Sequence, residues 1–187
     1  MKNLVCFTEE PSAVEMLRCV LPRILPADFP FLCFHFEGKQ DLEKRIANRI
    51  QYWVDPDSVF LVLRDQDSDD CYQIKNELIQ KIRRTGKSNL VIVRIACHEL
   101  ESFYLGDLQA VEKGLEIKGL AKKQGKALYR APDELPNPAQ QLMRLTENRY
   151  QKLKGSRAIS PWLSLDCNAS HSFCVLIAGV KKFCGIE

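Results

Sequence analysis

Short apolar runs alternate along the chain with longer segments in which apolar residues recur every three or four positions. This pattern predicts parallel strands joined by crossover helices. NLVCFT at 3–8, FPFLCFHF at 29–36, VFLVLR at 59–64 and NLVIVRIA at 89–96 are the strand candidates. Between them, Val14, Leu17, Leu21 and Ile24 share one helical face, as do Leu42, Ile46, Ile50 and Trp53, and Cys71, Ile74, Leu78 and Ile82. Leu100, Tyr104, Leu108, Val111 and Leu115 predict one continuous fourth helix. Pro11 suits a first helical position, and Ser12 stands three residues before Glu15, the spacing of a capping box. Pro22 should end or bend the first helix, and Gly86 should stop the third.

Beyond residue 118 the periodicity weakens. KGLAKKQGKALYRAPDELPNP reads as a long basic loop, followed by a short helix at 138–147, an irregular basic stretch at 148–168 and a last helix near 170–183. The expected fold is therefore α/β: a mostly parallel four-stranded sheet with helices on both faces over residues 1–117. A C-terminal basic loop and helical extension over 118–187 then packs on that core within a single domain.

Composition supports a globular chain. At 187 residues and 45% hydrophobic it can bury a core without disulfides or an obligatory metal. The eight cysteines include no CxxC pair and several stand inside apolar runs, which favours buried reduced thiols over zinc ligands. No apolar run approaches the roughly 18 residues that span a bilayer, and the N-terminus does not read as a secretion signal. A cytoplasmic protein without membrane contact is expected. The net charge of +3 predicts no partner by itself. Its distribution does more, because ten Lys and Arg face only three acids between 118 and 157, while acids crowd the turn after Leu63.

In an open parallel sheet, ligands bind beyond the carboxyl ends of the strands. Three acid groups fall there: Glu9 and Glu10 after the first strand, Asp65, Asp67, Asp69 and Asp70 after the third, and Glu99 and Glu101 after the fourth. Carboxylates gathered from separate strands repel, and a hard cation such as Mg²⁺ relieves that repulsion. Asp65 and Asp67 form a DxD pair suited to metal capture. Glu99 and Glu101, about 200° apart around a helix, should not both face one ion. Taken singly, each group also suits a plainer role near a helix N-terminus or in a solvated turn.

A glutamate after the first strand and a DxD after the third resemble the Toprim domain of topoisomerases, primases and overcoming-lysogenization-defect type nucleases. Glu9 in FTEEPSAVEML matches that glutamate, and Asp65 and Asp67 in LVLRDQDSDDC match the DxD, while Glu10 stands where many Toprim domains have glycine. HFEGKQDLEKRI, FLVLRDQDSDDC, RIACHELESFYLGDLQAVE and NRYQKLKGSRAI are similar, over most of the chain, to a prokaryotic Toprim-like family known as domain of unknown function 4276. The family's pattern, matched by ESFYLGD at 101–107, favours Glu101 over Glu99. The resemblance implies a metal-dependent nuclease or related phosphoryl-transfer enzyme, often linked with an ATPase partner in phage defence.

On this reading Asp65, Asp67 and Glu101 hold one or two Mg²⁺ (or Mn²⁺) ions, and Glu9 is either a ligand or the general base for water. Asp69 is a weaker ligand candidate, and Asp70 and Asp107 suit structural roles. Arg149, Lys152, Lys154 and Arg157 around Tyr150 form a candidate nucleic-acid grip, with the tyrosine ring free to stack on a base. Lys39 is a weak phosphate contact, and His98 either shuttles a proton or bonds backbone. The expected partners are DNA or RNA and an ATPase, and a homodimer is compatible with the chain. Two other classes remain open: a non-catalytic module that docks to an ATPase, and a receiver-like signalling domain.

Overall fold

A computed structural model describes residues 2–186. Strands β1 (Asn3–Thr8), β2 (Phe31–His35), β3 (Ser58–Asp65) and β4 (Val91–Ala96) form one fully parallel sheet in the order β2-β1-β3-β4. Crossovers thus leave β1 and β3 in opposite directions, and the crevice between the carboxyl ends of these two strands is the topological switch point.

The strands are apolar because both faces are covered. Alternate side chains of β1 and β3 enter different cores. Val5, Phe7, Phe60 and Val62 pack under α2 (Lys39–Gln51) and α3 (Cys71–Arg83), through Leu42, Ile46, Ile50, Ile74, Leu78 and Ile82. Leu4, Cys6, Leu61 and Leu63 pack on α1 (Pro11–Val20) and on helices from the second half of the chain. The helical faces between the strands match the expected ones. Pro11 occupies the first turn of α1, and the chain passes into a 3₁₀ turn at Leu21–Arg23, as Pro22 requires. The capping box is not formed: Ser12 lies inside α1, and its hydroxyl donates to Glu10 Oε2 at 3.2 Å.

The fourth helix is broken in two, α4 (Glu101–Leu105) and α5 (Leu108–Gly114). Asp107 supplies the reason. Its Oδ1 accepts the Ala110 N–H that opens α5, and its Oδ2 accepts Ser164 N–H at 2.7 Å. The break is pinned from outside, since Ala169 N–H donates to Gly106 C=O and Asn168 Nδ2 to Phe103 C=O. A side chain at Gly106 would overlap Asn168.

The predicted basic loop is instead a chain of short helical turns. These include α6 (Ala127–Arg130), with 3₁₀ turns at Ala121–Lys123 and Pro132–Glu134, and they lead into α7 (Pro138–Leu145). Gln124 ties them to the α4–α5 junction, accepting Leu108 N–H and donating to Leu105 and Tyr129 carbonyls. The stretch read as irregular holds α8 (Lys152–Ile159), which packs on α1. The last helix, α9 (His171–Cys184), is close to the predicted span. Asp133 braces its start, accepting from Ser170 Oγ and Ser172 N–H at 2.6 Å each. All eight cysteines are free thiols. No helix of the described residues is long and apolar enough to cross a membrane.

Candidate functional site

The acids predicted at strand ends line the carboxyl edge of the sheet, on both sides of the switch point. Glu9 follows β1 and continues the alternation of Val5 and Phe7, towards the α2–α3 layer. Its backbone carbonyl accepts Gly38 N–H at the start of α2. Glu9 is 9% exposed, and its Oε2 has no hydrogen-bond partner. Burial and then the Asp67 charge push its pKa up, against the pull of Arg64 and a hydrogen bond from the Asp65 backbone.

Asp65 ends β3 and alternates the other way, with Leu61 and Leu63. Burial, then Glu101, Glu9 and Glu10, hold its carboxyl well above the ordinary range, and a backbone hydrogen bond from Leu100 only partly offsets them. Glu101, in the first turn of α4, is 1% exposed; its Oε1 accepts the Tyr150 hydroxyl at 2.8 Å and its Oε2 has no partner. Burial raises its pKa, while the Lys152 charge and the Tyr150 hydrogen bond oppose the rise.

Asp67 turns back towards the other layer, where its Oδ2 pairs with Lys39 Nζ at 2.8 Å. It sits at φ 57°, and His98 opposite it at φ 28°. The two are locked together: Asp67 N–H donates to His98 C=O at 2.7 Å, and His98 Nδ1 bonds Asp67 C=O at 2.9 Å. Left-handed backbone at two facing non-glycine residues is strain of the kind that collects at functional sites. The imidazole thus has the backbone role. Asp67, His98 and Glu99 line a pocket of about 440 Å³ with Ser68, Pro136 and Asn137.

The remaining candidates separate. Glu99 accepts Ala139 N–H at the start of α7 through its Oε2 and shares the pocket of Asp67, so of that pair it is Glu101 whose charge acts on Asp65. Asp70 caps α3 through Gln73 N–H. Asp69 is exposed, and its charge reaches Lys39. Lys152 is exposed but held on an acid. Its Nζ bonds both Glu10 oxygens at 2.9 and 3.0 Å. Burial lowers its pKa, but Glu10, Glu101 and Asp65 more than compensate and raise it. Arg157 pairs with Glu15 of α1 at 2.7 Å and is exposed, as are Arg149 and Lys154. Tyr150 is 3% exposed and bonded to Glu101, which corrects the expectation that its ring is open to a base. Gly155 makes this placement feasible, because α8 rests on the Tyr150 ring where any Cβ would collide.

Sequence reasoning missed Arg64. It is 2% exposed on β3, and its Nη2 pairs with Glu43 at 3.0 Å while Nε and Nη1 have no partner. A single arginine closing an apolar buried strand, next to the DxD, was the available signal.

Glu9 thus neighbours Asp65 and Asp67, and Asp65 neighbours Glu101, but Asp67 and Glu101 lie on opposite layers. Among the described residues no three His, Cys, Asp or Glu side chains are set to share one ion. The donor chemistry nevertheless fits a hard divalent cation. Buried carboxylate oxygens of Glu9 and Glu101 lack partners on either side of an Asp65 that three acids crowd.

Comparison with known families matches residues 8–181 to the family described as a domain of unknown function (DUF4276). The chain belongs to this family. No curated protein and no solved structure matches it. The DUF4276 match runs from the last residue of β1 through β2–β4 and α8, so the acid edge and the lysine that compensates it lie within one family unit.

Proposed function

We propose that this DUF4276 chain is a Mg²⁺-dependent phosphoryl-transfer enzyme acting on nucleic acid, most simply a nuclease, with its centre at the carboxyl ends of β1 and β3. The observation that carries this reading is the pair of buried carboxylate oxygens without hydrogen-bond partners, Glu9 Oε2 and Glu101 Oε2, on either side of Asp65 at the switch point, where burial and neighbouring acids also raise the Asp65 pKa. Such an arrangement costs stability unless a cation serves it. Glu9, Asp65 and Glu101 would hold the ion, and Asp67 would join them once released from Lys39. When bound, the ion supplies charge neutralisation at the phosphoryl oxygens and a more acidic water. Glu9, its pKa raised and one oxygen unpaired, suits a general base as well as a ligand. Lys39 and Lys152, each held on an acid, are cations that can pass to a substrate phosphate. An ATPase partner and a role in phage defence follow from the family resemblance, a cytoplasmic location from the composition, and all three belong to the same proposal.

A second reading, a non-catalytic module that docks to an ATPase, draws support from the two ammonium groups that already compensate the acids. Calorimetric titration with Mn²⁺ separates the two. The enzyme reading expects saturable binding in the wild type that Asp65→Asn abolishes, together with Mn²⁺-dependent cleavage of a labelled oligonucleotide. A wild type that binds no Mn²⁺ would sink it in favour of the module.

A further inference from the structure

The two edges of the sheet are treated differently. On the β4 side α9 packs closely: Arg94 Nε of β4 donates to Val175 C=O at 3.2 Å, and Gly179 admits the guanidinium where a Cβ would collide. On the other side β2 pairs only with β1 among the described residues. The bonds Leu4 N–H to Pro30 C=O and Phe36 N–H to Thr8 C=O set the phase of that ladder. Phe31, Cys33 and His35 therefore turn their N–H and C=O groups outward. Free edges are usually blunted by a lysine, a proline or a bulge, and FLCFH contains none of these.

Along this edge runs a groove of about 880 Å³ between β2 and α2. Its α2 wall is the stripe Asp41, Arg45, Asn48, Arg49 and Tyr52, and its floor includes Leu32 and Phe34. Leu32 is 50% exposed, Tyr52 75% and Val54 94%. The polar pattern has a direction. Glu37 and Asp41 stand at the end near the acid edge of the sheet, and Arg49 stands two helical turns further along. Arg45 is paired with Asp41 at 3.2 Å, whereas Arg49 lies over the rings of Phe34 and Trp53 with no carboxylate partner among the described residues. Acids balance arginines here, so a polyphosphate has no cationic track to follow.

We infer that this groove is an interface for a second copy of the chain, with the β2 strands pairing antiparallel about a two-fold axis at Cys33. The outward-facing residues fit that register. Phe31 meets His35 of the copy and Cys33 meets its equivalent, each pair exchanging both backbone hydrogen bonds. Between them Leu32 stands opposite Phe34 of the copy at the closer, non-hydrogen-bonded spacing, which covers the exposed leucine. The two-fold also lays the α2 helices side by side with reversed direction, so each unpaired Arg49 is carried towards the Asp41 end of the other copy. The α2 stripe and the Tyr52–Val54 corner extend the contact beyond the strand, towards the ~800 Å² per partner typical of stable interfaces. The result is a continuous eight-stranded sheet with the two acid edges at opposite ends. This inference does not depend on the proposed activity.

Sedimentation equilibrium of the full chain tests it. The wild type is expected to be a dimer at micromolar concentration. Leu32→Lys, which places a charge on the open edge, should give a monomer with unchanged circular dichroism and a melting temperature that no longer depends on protein concentration. Arg49→Asp and Asp41→Arg should each weaken the dimer at least tenfold, and the double exchange should restore it. A monomeric wild type would overturn the inference, and so would a dimer indifferent to Leu32→Lys and to the charge exchanges. A monomer that binds a fluorescent single-stranded oligonucleotide, and loses it on Arg49→Asp, would assign the groove to nucleic acid instead.

Discussion

The two layers that flank the sheet give its acid edge two different characters. On the α2–α3 side, Asp67 is partly open to solvent, and so is its partner Lys39 at the start of α2, the helix that leads into β3. On the α1–α8 side, Glu101 is sealed, and its partners Tyr150 and Lys152 arrive from far along the chain. An exposed ion pair contributes little to stability, whereas a buried carboxylate depends on each hydrogen bond it receives. The open half can therefore change partners cheaply, and the sealed half fixes geometry.

The sharpest challenge to that contrast is Tyr150→Phe against Lys39→Met. Removing the Tyr150 hydroxyl should cost about 1.5–3 kcal/mol in urea unfolding, because it takes a hydrogen bond from a buried carboxylate. Removing the Lys39 ammonium should cost less than about 1 kcal/mol. Equal losses would erase the distinction between the halves.

Next in size is the response to neutralising each aspartate in metal-free buffer. Asp65→Asn relieves repulsion from Glu101, Glu9 and Glu10 and should stabilise the fold by on the order of 1 kcal/mol, read as a higher melting temperature. Asp67→Asn loses the Lys39 pair and should leave the melting temperature level or slightly lower. Destabilisation by Asp65→Asn would mean that its charge is already well compensated.

The smallest effect is a pH dependence. A carboxyl whose folded pKa is raised holds its proton more firmly in the folded state. Its contribution to stability is therefore complete at low pH and is lost as pH rises from about 4.3 through the raised value. Glu101 should behave in this way, so in metal-free buffer the gap between wild type and Glu101→Gln should widen, in favour of the variant, as pH rises through that window. A gap that stays constant with pH would remove Glu101 from the raised group.

The parallel core was legible because strand and helix periods are written in apolar residues, and Leu42, Ile46 and Ile50 or Ile74, Leu78 and Ile82 can be read without knowing their partners. The second half was not, because its order comes from single polar residues bonded over long distances. Gln124 holds a run that reads as a loop, Asp107 breaks a helix that reads as continuous, and Asp133 starts another 38 residues downstream. At the site, the positions of Glu9, Asp65, Asp67 and Glu101 at strand ends followed from the alternation. Their division between two layers, the Tyr150 bond to Glu101 and the Lys152 clamp on Glu10 are matters of side-chain direction, which a motif does not carry.

The order in which these groups occur along the polypeptide has a consequence for its synthesis. The carboxylates of the edge belong to the first 101 residues, while Tyr150, Lys152 and Arg157, which bind Glu101, Glu10 and Glu15, are translated well after them. Since domains fold largely as they leave the ribosome, the nascent sheet would carry Glu10, Glu15 and Glu101 without these partners until α8 emerges and docks on α1, while Lys39 already serves Asp67.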